Sequence, residues 1–253
     1  MKLHYRKYGE GEPLIILHGL FGSSDNWHTL ARRWGQSFKV YTLDQRNHGS
    51  SPHESAMNYE ELAQDLHQFI TQERLGPVHI VGHSMGGKVG MLFASKYPDL
   101  VLSLVVLDIG MERVKGKHEF ILRALQRINP DEYSSRDEIR KVLEAMIESA
   151  PIRQFLLKNI LRSLDGSLGW KFNRDALLEH YEDLTMSLDL NQPYIGSTLF
   201  LRGENSDYLE AALSAEMLQY FPLAQLQTIK GAGHWLHADK PDDLSTLVLD
   251  FIH

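Results

Sequence analysis

Apolar positions fall into two alternating patterns along the first part of the chain. Short, nearly unbroken apolar runs occupy residues 13–17 (PLIIL), 38–43 (FKVYTL), 78–81 (VHIV) and 101–107 (VLSLVVL), and a weaker one opens the chain at 3–8. Such runs suit strands covered on both faces, as in a parallel sheet. Between them the period lengthens. Residues 25–34 follow Ser24, a candidate N-cap. Residues 59–74 follow Asn58 and place Leu62, Leu66, Phe69 and Ile70 at helical spacing. Alternation of this kind predicts an α/β fold with right-handed crossovers.

After about Met111 the pattern changes. From Lys117 to about Leu190 no strand is predicted. Apolar residues recur there at helical spacing in a charged background: Phe120, Ile121 and Leu125, then Ile139, Leu143 and Met146, then Phe155, Leu156 and Ile160, then Leu177, Leu178 and Tyr181. Strand patterns return at 198–201 (TLFL) and 226–229 (LQTI), with helices expected at about 208–220 and 242–252. The chain has no internal repeat and no low-complexity tract. The expected organisation is a sheet domain, residues 1–110 and 191–253, interrupted by a helical cap, residues 111–190.

Composition narrows the function. The 253 residues are 43% apolar and 23% charged, which suits a globular chain and not a disordered one. The net charge of −7 argues against a nucleic-acid or anionic-membrane partner, either of which needs a basic face. With no cysteine, disulfides, iron–sulfur clusters, thiolate zinc sites and thiol nucleophiles are excluded together. The N-terminal segment MKLHYRKYGEGEP lacks the apolar core of a secretory signal, and the longest apolar stretch, 100–107, is too short to span a bilayer. A cytoplasmic protein with no membrane partner is expected.

The most informative segment is VHIVGHSMGG, residues 78–87. It runs from an apolar strand through Gly82-His83-Ser84-Met85-Gly86 into a helical pattern, so G-x-S-x-G stands in the strand–turn–helix context that makes Ser84 a candidate nucleophile. A turn this tight holds the serine in a strained conformation. Its glycines let strand and helix approach closely.

Further segments occur in a fixed order: His18-Gly19-Leu20-Phe21-Gly22-Ser23 after the second strand, Asp44-Gln45-Arg46-Asn47-His48-Gly49-Ser50-Ser51 after the third, then Gly203-Glu204-Asn205-Ser206 and Gly231-Ala232-Gly233-His234-Trp235. With the Ser84 turn, they make the chain resemble the α/β-hydrolase superfamily, and within it the small serine-esterase family of bacterial YbfF-type and eukaryotic ABHD11-type members. The resemblance spans nearly the whole chain; within the cap it is carried only by Gln154-Phe155-Leu156-Leu157-Lys158 and Trp170-Lys171-Phe172-Asn173. It implies a mostly parallel sheet flanked by helices and a triad in the order Ser, acid, His.

His234, in a Gly-Ala-Gly turn after the last strand pattern, is the candidate base; His237 is expected in the first turn of the next helix. Two carboxylates compete as the acid. Many superfamily members carry it as Gly-x-x-Asp after the strand that follows the cap, but here that position is Ser206, with Asp207 one residue later. Asp108, at the end of 101–107, is the alternative. The resemblance, with Asn205-Ser206 filling the later position, favours Asp108. Otherwise Asp207 reads as an N-cap of the helix expected from Tyr208. The oxyanion hole needs two backbone donors. The Met85 N–H is one, and Leu20, or else Phe21, supplies the other. Leu20, Phe21 and Met85 are also expected to line an apolar acyl pocket, with Phe21 binding substrate. His18 reads as a structural hydrogen-bonder, and Arg46, Asn47 and His48 as braces of the surrounding loops.

Rival chemistries fail on residues. A haloalkane dehalogenase or epoxide hydrolase would have Asp where Ser84 stands. His118-Glu119-Phe120-Ile121-Leu122 lacks the second histidine of H-E-x-x-H. No dinucleotide-binding glycine pattern and no P-loop are present. No metal and no cofactor are implied. The expected function is a serine carboxylesterase acting on a small-molecule acyl ester, as a monomer or weak homodimer. The alternatives are a thioesterase or other activated-acyl hydrolase and, in a different class, a hydrolase-fold ligand receptor.

Overall fold

The computed structural model describes residues 1–114, 116 and 118–253; Lys117, where the helical period is expected to begin, lies outside the described residues. In chain order come β1 (Tyr5–Tyr8), β2 (Glu12–Leu17), a 3-10 turn (Ser24–Trp27), α1 (His28–Trp34), β3 (Phe38–Leu43), α2 (Tyr59–Gln72), β4 (Val78–His83), α3 (Met85–Lys96) and β5 (Val101–Leu107). A covering stretch follows: α4 (Glu119–Arg127), α5 (Arg136–Met146), α6 (Ala150–Lys158), a hairpin of β6 (Ile160–Arg162) and β7 (Leu168–Trp170), α7 (Arg174–Glu179) and α8 (Tyr181–Thr185). The chain then returns through β8 (Ser197–Gly203), α9 (Ala215–Tyr220), β9 (Ala224–Ile229), α10 (Leu236–Asp239) and α11 (Pro241–Ile252).

Seven strands form one sheet in the order β1-β3-β2-β4-β5-β8-β9. All neighbours are parallel except β1, which runs antiparallel to β3. The continuous apolar runs are explained by burial on both faces. In β2, Leu14 and Ile16 pack with Trp34 and Val248 on one side, while Ile15 and Leu17 pack with Leu66 and Val89 on the other. The expected mostly parallel sheet flanked by helices is thus present. Among the described residues no helix is long and apolar enough to cross a membrane.

Two local expectations are corrected. The helix expected from Tyr208 begins at Ala215, where the Ser214 hydroxyl accepts the Met217 N–H at 3.2 Å. The preceding segment is held as a loop, with Arg202 donating to the Leu209 and Ser206 carbonyls at 3.1 and 3.3 Å. Asp207 is therefore not an N-cap. In the covering stretch, Phe155, Leu156 and Ile160 do not share a helix. α6 ends at Lys158, the Asn159 side-chain amide turns back onto the Phe155 carbonyl at 2.9 Å, and Ile160 opens the hairpin. Asp165-Gly166 makes the turn: Asp165 accepts the Ser167 N–H at 3.0 Å, and Gly166 takes φ 90°.

Candidate active site

Ser84 sits between the central strand β4 and α3 with φ 51° and ψ −117°, a conformation that costs a non-glycine residue roughly 1–3 kcal/mol. The glycines of its motif make the turn sterically feasible. A β-carbon on Gly82 would stand 2.3 Å from the Gly86 carbonyl oxygen, and one on Gly86 would stand 2.4 Å from that of Leu17. The Ser84 N–H is engaged by the Leu107 carbonyl at 3.0 Å, tying the turn to the end of β5.

Asp108 follows β5 directly, fully buried and with φ 54°. Its Oδ2 accepts the His234 Nδ1–H at 2.8 Å and the Ser206 hydroxyl; its Oδ1 accepts the Gly203 N–H at 2.8 Å. The carboxylate that meets the imidazole is Asp108, not Asp207. The loop carrying His234 reaches Asp108 by crossing the end of β8, and Gly203 makes room. A β-carbon there would lie 2.3 Å from the Gly233 carbonyl oxygen. Because Nδ1 donates to the carboxylate, Nε2 is left as a proton acceptor. Ser84 and His234 line the same cavity, yet no hydrogen bond joins them among the described residues. Contacts of this type commonly close only once substrate is bound.

The loop after β2 supplies the other backbone groups. His18 is engaged on both ring nitrogens, Nδ1 donating to the Gly19 carbonyl at 2.8 Å and Nε2 accepting the Gln45 N–H at 3.0 Å. His48 donates from Nδ1 to the Arg46 carbonyl at 2.9 Å and accepts the Phe21 N–H on Nε2 at 3.2 Å. Burial, followed by the proximity of the His18 ring, pushes His48 down to about 3, so it stays neutral and able to accept. The Phe21 amide is thereby occupied. Among the described residues, neither the Leu20 nor the Met85 N–H has a protein acceptor. Phe21, at φ 62°, buries its ring against Phe172. Arg46 forks onto the Asp65 carboxylate at 2.6 and 3.1 Å, and the Asn47 carbonyl accepts the Asn173 N–H at 2.8 Å, joining the β3 loop to the covering stretch.

The cavity around Ser84 and His234 measures about 250 Å³ and is mainly apolar, with Leu20, Phe21, Trp27, Phe120, Phe155 and Trp235 in its wall. Three neighbours of the imidazole carried no signal in the sequence. Tyr208 stacks on His234 with centroids 3.7 Å apart and planes at 18°. Its hydroxyl lies 3.1 Å from Nε2 of His118, whose Nδ1 lies 3.1 Å from the Tyr181 hydroxyl. His118, held down at about 4 by burial and then by repulsion from His234, thus links the covering stretch, through Tyr208, to His234. His83 donates from Nε2 to the His234 carbonyl at 2.9 Å; burial, followed by the proximity of the His234 and His237 rings, keeps it well below the usual histidine range. Both ends of the covering stretch are fastened by Lys88, one turn after Ser84. Its buried ammonium donates to the Glu112 and Met186 carbonyls at 2.8 and 2.5 Å, and burial lowers it to about 8. His237 lies in α10 and stacks on Trp27 at 4.5 Å. Among the described residues no group of three or more potential ligands could hold a metal ion.

Residues 12–140 match the family model described as the alpha/beta hydrolase fold. Over 247 residues the chain is 40% identical to the sn-1-specific diacylglycerol lipase ABHD11 of Mus musculus, covering 94% of this chain and 80% of that protein. The chain belongs to the alpha/beta hydrolase family. Another relative is the esterase YbfF of Escherichia coli (strain K12), 33% identical with 91% and 89% of the two chains covered. Among solved structures, a marine microorganism esterase superposes with a TM-score of 0.96 at 44% identity, covering 99% of both chains. This alpha/beta hydrolase is an enzyme, and these relatives are named as esterases and a lipase, carboxylic ester hydrolases.

Proposed function

We propose that the protein is a serine carboxylesterase that hydrolyses small to medium acyl esters through an acyl-enzyme intermediate. The observation that carries this reading is the buried Asp108 bonded at 2.8 Å to His234, in the cavity that also holds the strained Ser84. In the first step His234 Nε2 takes the Ser84 proton as Oγ attacks the ester carbonyl. The oxyanion settles between the Leu20 and Met85 amides; His48, by occupying the Phe21 N–H, favours Leu20 as the second donor. Collapse breaks the bond to the alcohol oxygen, which takes the proton from His234. Water, deprotonated by the same imidazole, then attacks the acyl-enzyme and releases acid and free Ser84. Asp108 orients the imidazole and stabilises its cationic form. The Tyr208 ring face adds to that stabilisation.

Residues 111–190 act as a cap on a core of 1–110 and 191–253. Phe120, Ile121, Ile152 and Phe155 of the cap face the cavity and select acyl size. Turnover of p-nitrophenyl butanoate by wild type, with Ser84→Ala reduced roughly 10⁴-fold or more while still folded, is the expected result. Equal turnover by both proteins would remove the reading.

A further inference from the structure

A second cavity of about 600 Å³ adjoins the first. The two share Asn26, Phe155, Trp235 and His237, and the Phe155 and Trp235 rings, with centroids 6.0 Å apart, stand where they meet. Their linings differ in kind. The first is mainly apolar, whereas the second carries Arg136, Lys158 and Lys171 together with Asp25 and Asp239. Both acidic groups are already engaged: Asp25 pairs with Arg6 and, at 3.2 Å, with Lys171, and Asp239 accepts the Gly233 N–H at 2.8 Å. Arg136 donates to the Ile160 carbonyl at 2.5 Å. Among the described residues, neither Arg136 nor Lys158 has a carboxylate at ion-pair distance. A chain of net charge −7 thus places on one cavity beside its active site two cations that have no counter-ion among the described residues.

The chemistry of the ester reaction assigns this cavity a direction. His234 must protonate the departing oxygen, so the alcohol portion leaves on the His234 side. The residues that follow His234 in the chain, Trp235 and His237, line the passage into the second cavity. The acyl portion is left with the apolar one.

We propose that the second cavity is the subsite for the alcohol portion of the substrate, and that this portion carries an anionic group, a carboxylate or a phosphate, seated between Arg136 and Lys158. The proposal rests on the esterase reading and names its substrate class: an apolar acyl group on an anionic alcohol. A positive lining of this kind also concentrates such substrates at the mouth of the site.

Two matched pairs of butanoate esters test it. One pair joins butanoate to glycolate and to its neutral isostere glycolamide; the other joins it to glycerol phosphate and to glycerol. The quantity read is the anionic-to-neutral ratio of kcat/KM, corrected for non-enzymatic reactivity. At about 20 mM ionic strength the ratio is expected to exceed about 3 in at least one pair, and to fall toward 1 at about 0.5 M salt. The pair with the larger ratio distinguishes carboxylate from phosphate. Lys158→Gln is expected to lower that ratio about three- to fivefold, the worth of one solvent-screened charge pair, and Arg136→Gln to lower it further. Ratios at or below 1 in both pairs overturn the proposal. So does a preference that survives salt and both substitutions, or an equal loss on both members of a pair, which would mark the two cations as structural. Absence of turnover on all four esters overturns it by a separate route, through loss of the esterase reading.

Discussion

Asp108 accepts hydrogen bonds from His234, Ser206 and Gly203 while fully buried, so its charge is held by three donors and oriented at one imidazole. Asp108→Asn is expected to lower kcat by roughly 10⁴-fold, because an amide cannot hold the imidazole in the required tautomer. Asp207→Asn should stay within about tenfold of wild type; the reverse order, with both proteins folded by circular dichroism, would transfer the acid to Asp207. Ser206→Ala removes one donor to Asp108, and a loss of about 5- to 30-fold in kcat with little change in KM is expected, since one charge-assisted hydrogen bond is worth roughly 1–2 kcal/mol. Ser84 stood out in the sequence because Gly82 and Gly86 frame its tight turn, and His234 because it follows Gly231-Ala232-Gly233 after the last strand pattern. Asp108 and Asp207 stood as alternatives because each follows a strand, and sequence does not say which strand end the histidine loop reaches. In space the loop crosses at Gly203 and brings His234 against Asp108, which favours Asp108 as the acid. Tyr208 and His118 were not legible at all, since the contacts of Tyr208 with His234 and of His118 with Tyr208 join distant segments with no fixed spacing.

At the scale of elements, the parallel strands were the most legible. β3 and β5 have the bounds their apolar runs predict, because most positions on both faces are buried and few polar residues interrupt the runs. The covering stretch was less so. Its hairpin is three residues a side, too short to establish a period of two against the helical pattern around it. α9 was placed too early because the segment after Asp207 is fixed by Arg202 rather than by its own propensity. Phe155 is the element-level test of the role proposed for the covering stretch. Standing between the two cavities, it limits the space beside Ser84, so Phe155→Ala is expected to shift the preferred acyl chain longer, by about 1–3 kcal/mol per added methylene at most. The rate of Ser84 labelling by a small phosphonate should change little. An unchanged chain-length profile with lost labelling would make the cap part of the chemistry; the His118–Tyr208–His234 contacts show the route by which it would act.

The whole molecule buries several histidines in neutral form, which ties its stability to pH. His48 and His237 are pushed down to about 3 and His118 to about 4, in each case mainly by burial, against about 6.5 in the unfolded chain. Between those values the unfolded state binds protons that the folded state does not. Stability is therefore complete above about pH 6.5 and declines as pH falls toward 4, at about 1.4 kcal/mol per pH unit for each such group. The urea midpoint is expected to be clearly lower at about pH 5.5 than at about pH 7.5; an equal or higher midpoint would mean that these rings ionise freely in the fold. The central claim, however, concerns a single oxygen atom. The measurement that reaches it most directly is intact-protein and peptide mass spectrometry after treatment with a fluorophosphonate. The proposed chemistry predicts one equivalent bound, located on Ser84, with none on Ser84→Ala and strongly slowed addition to His234→Ala. Addition at another residue, or undiminished labelling of Ser84→Ala, would contradict it.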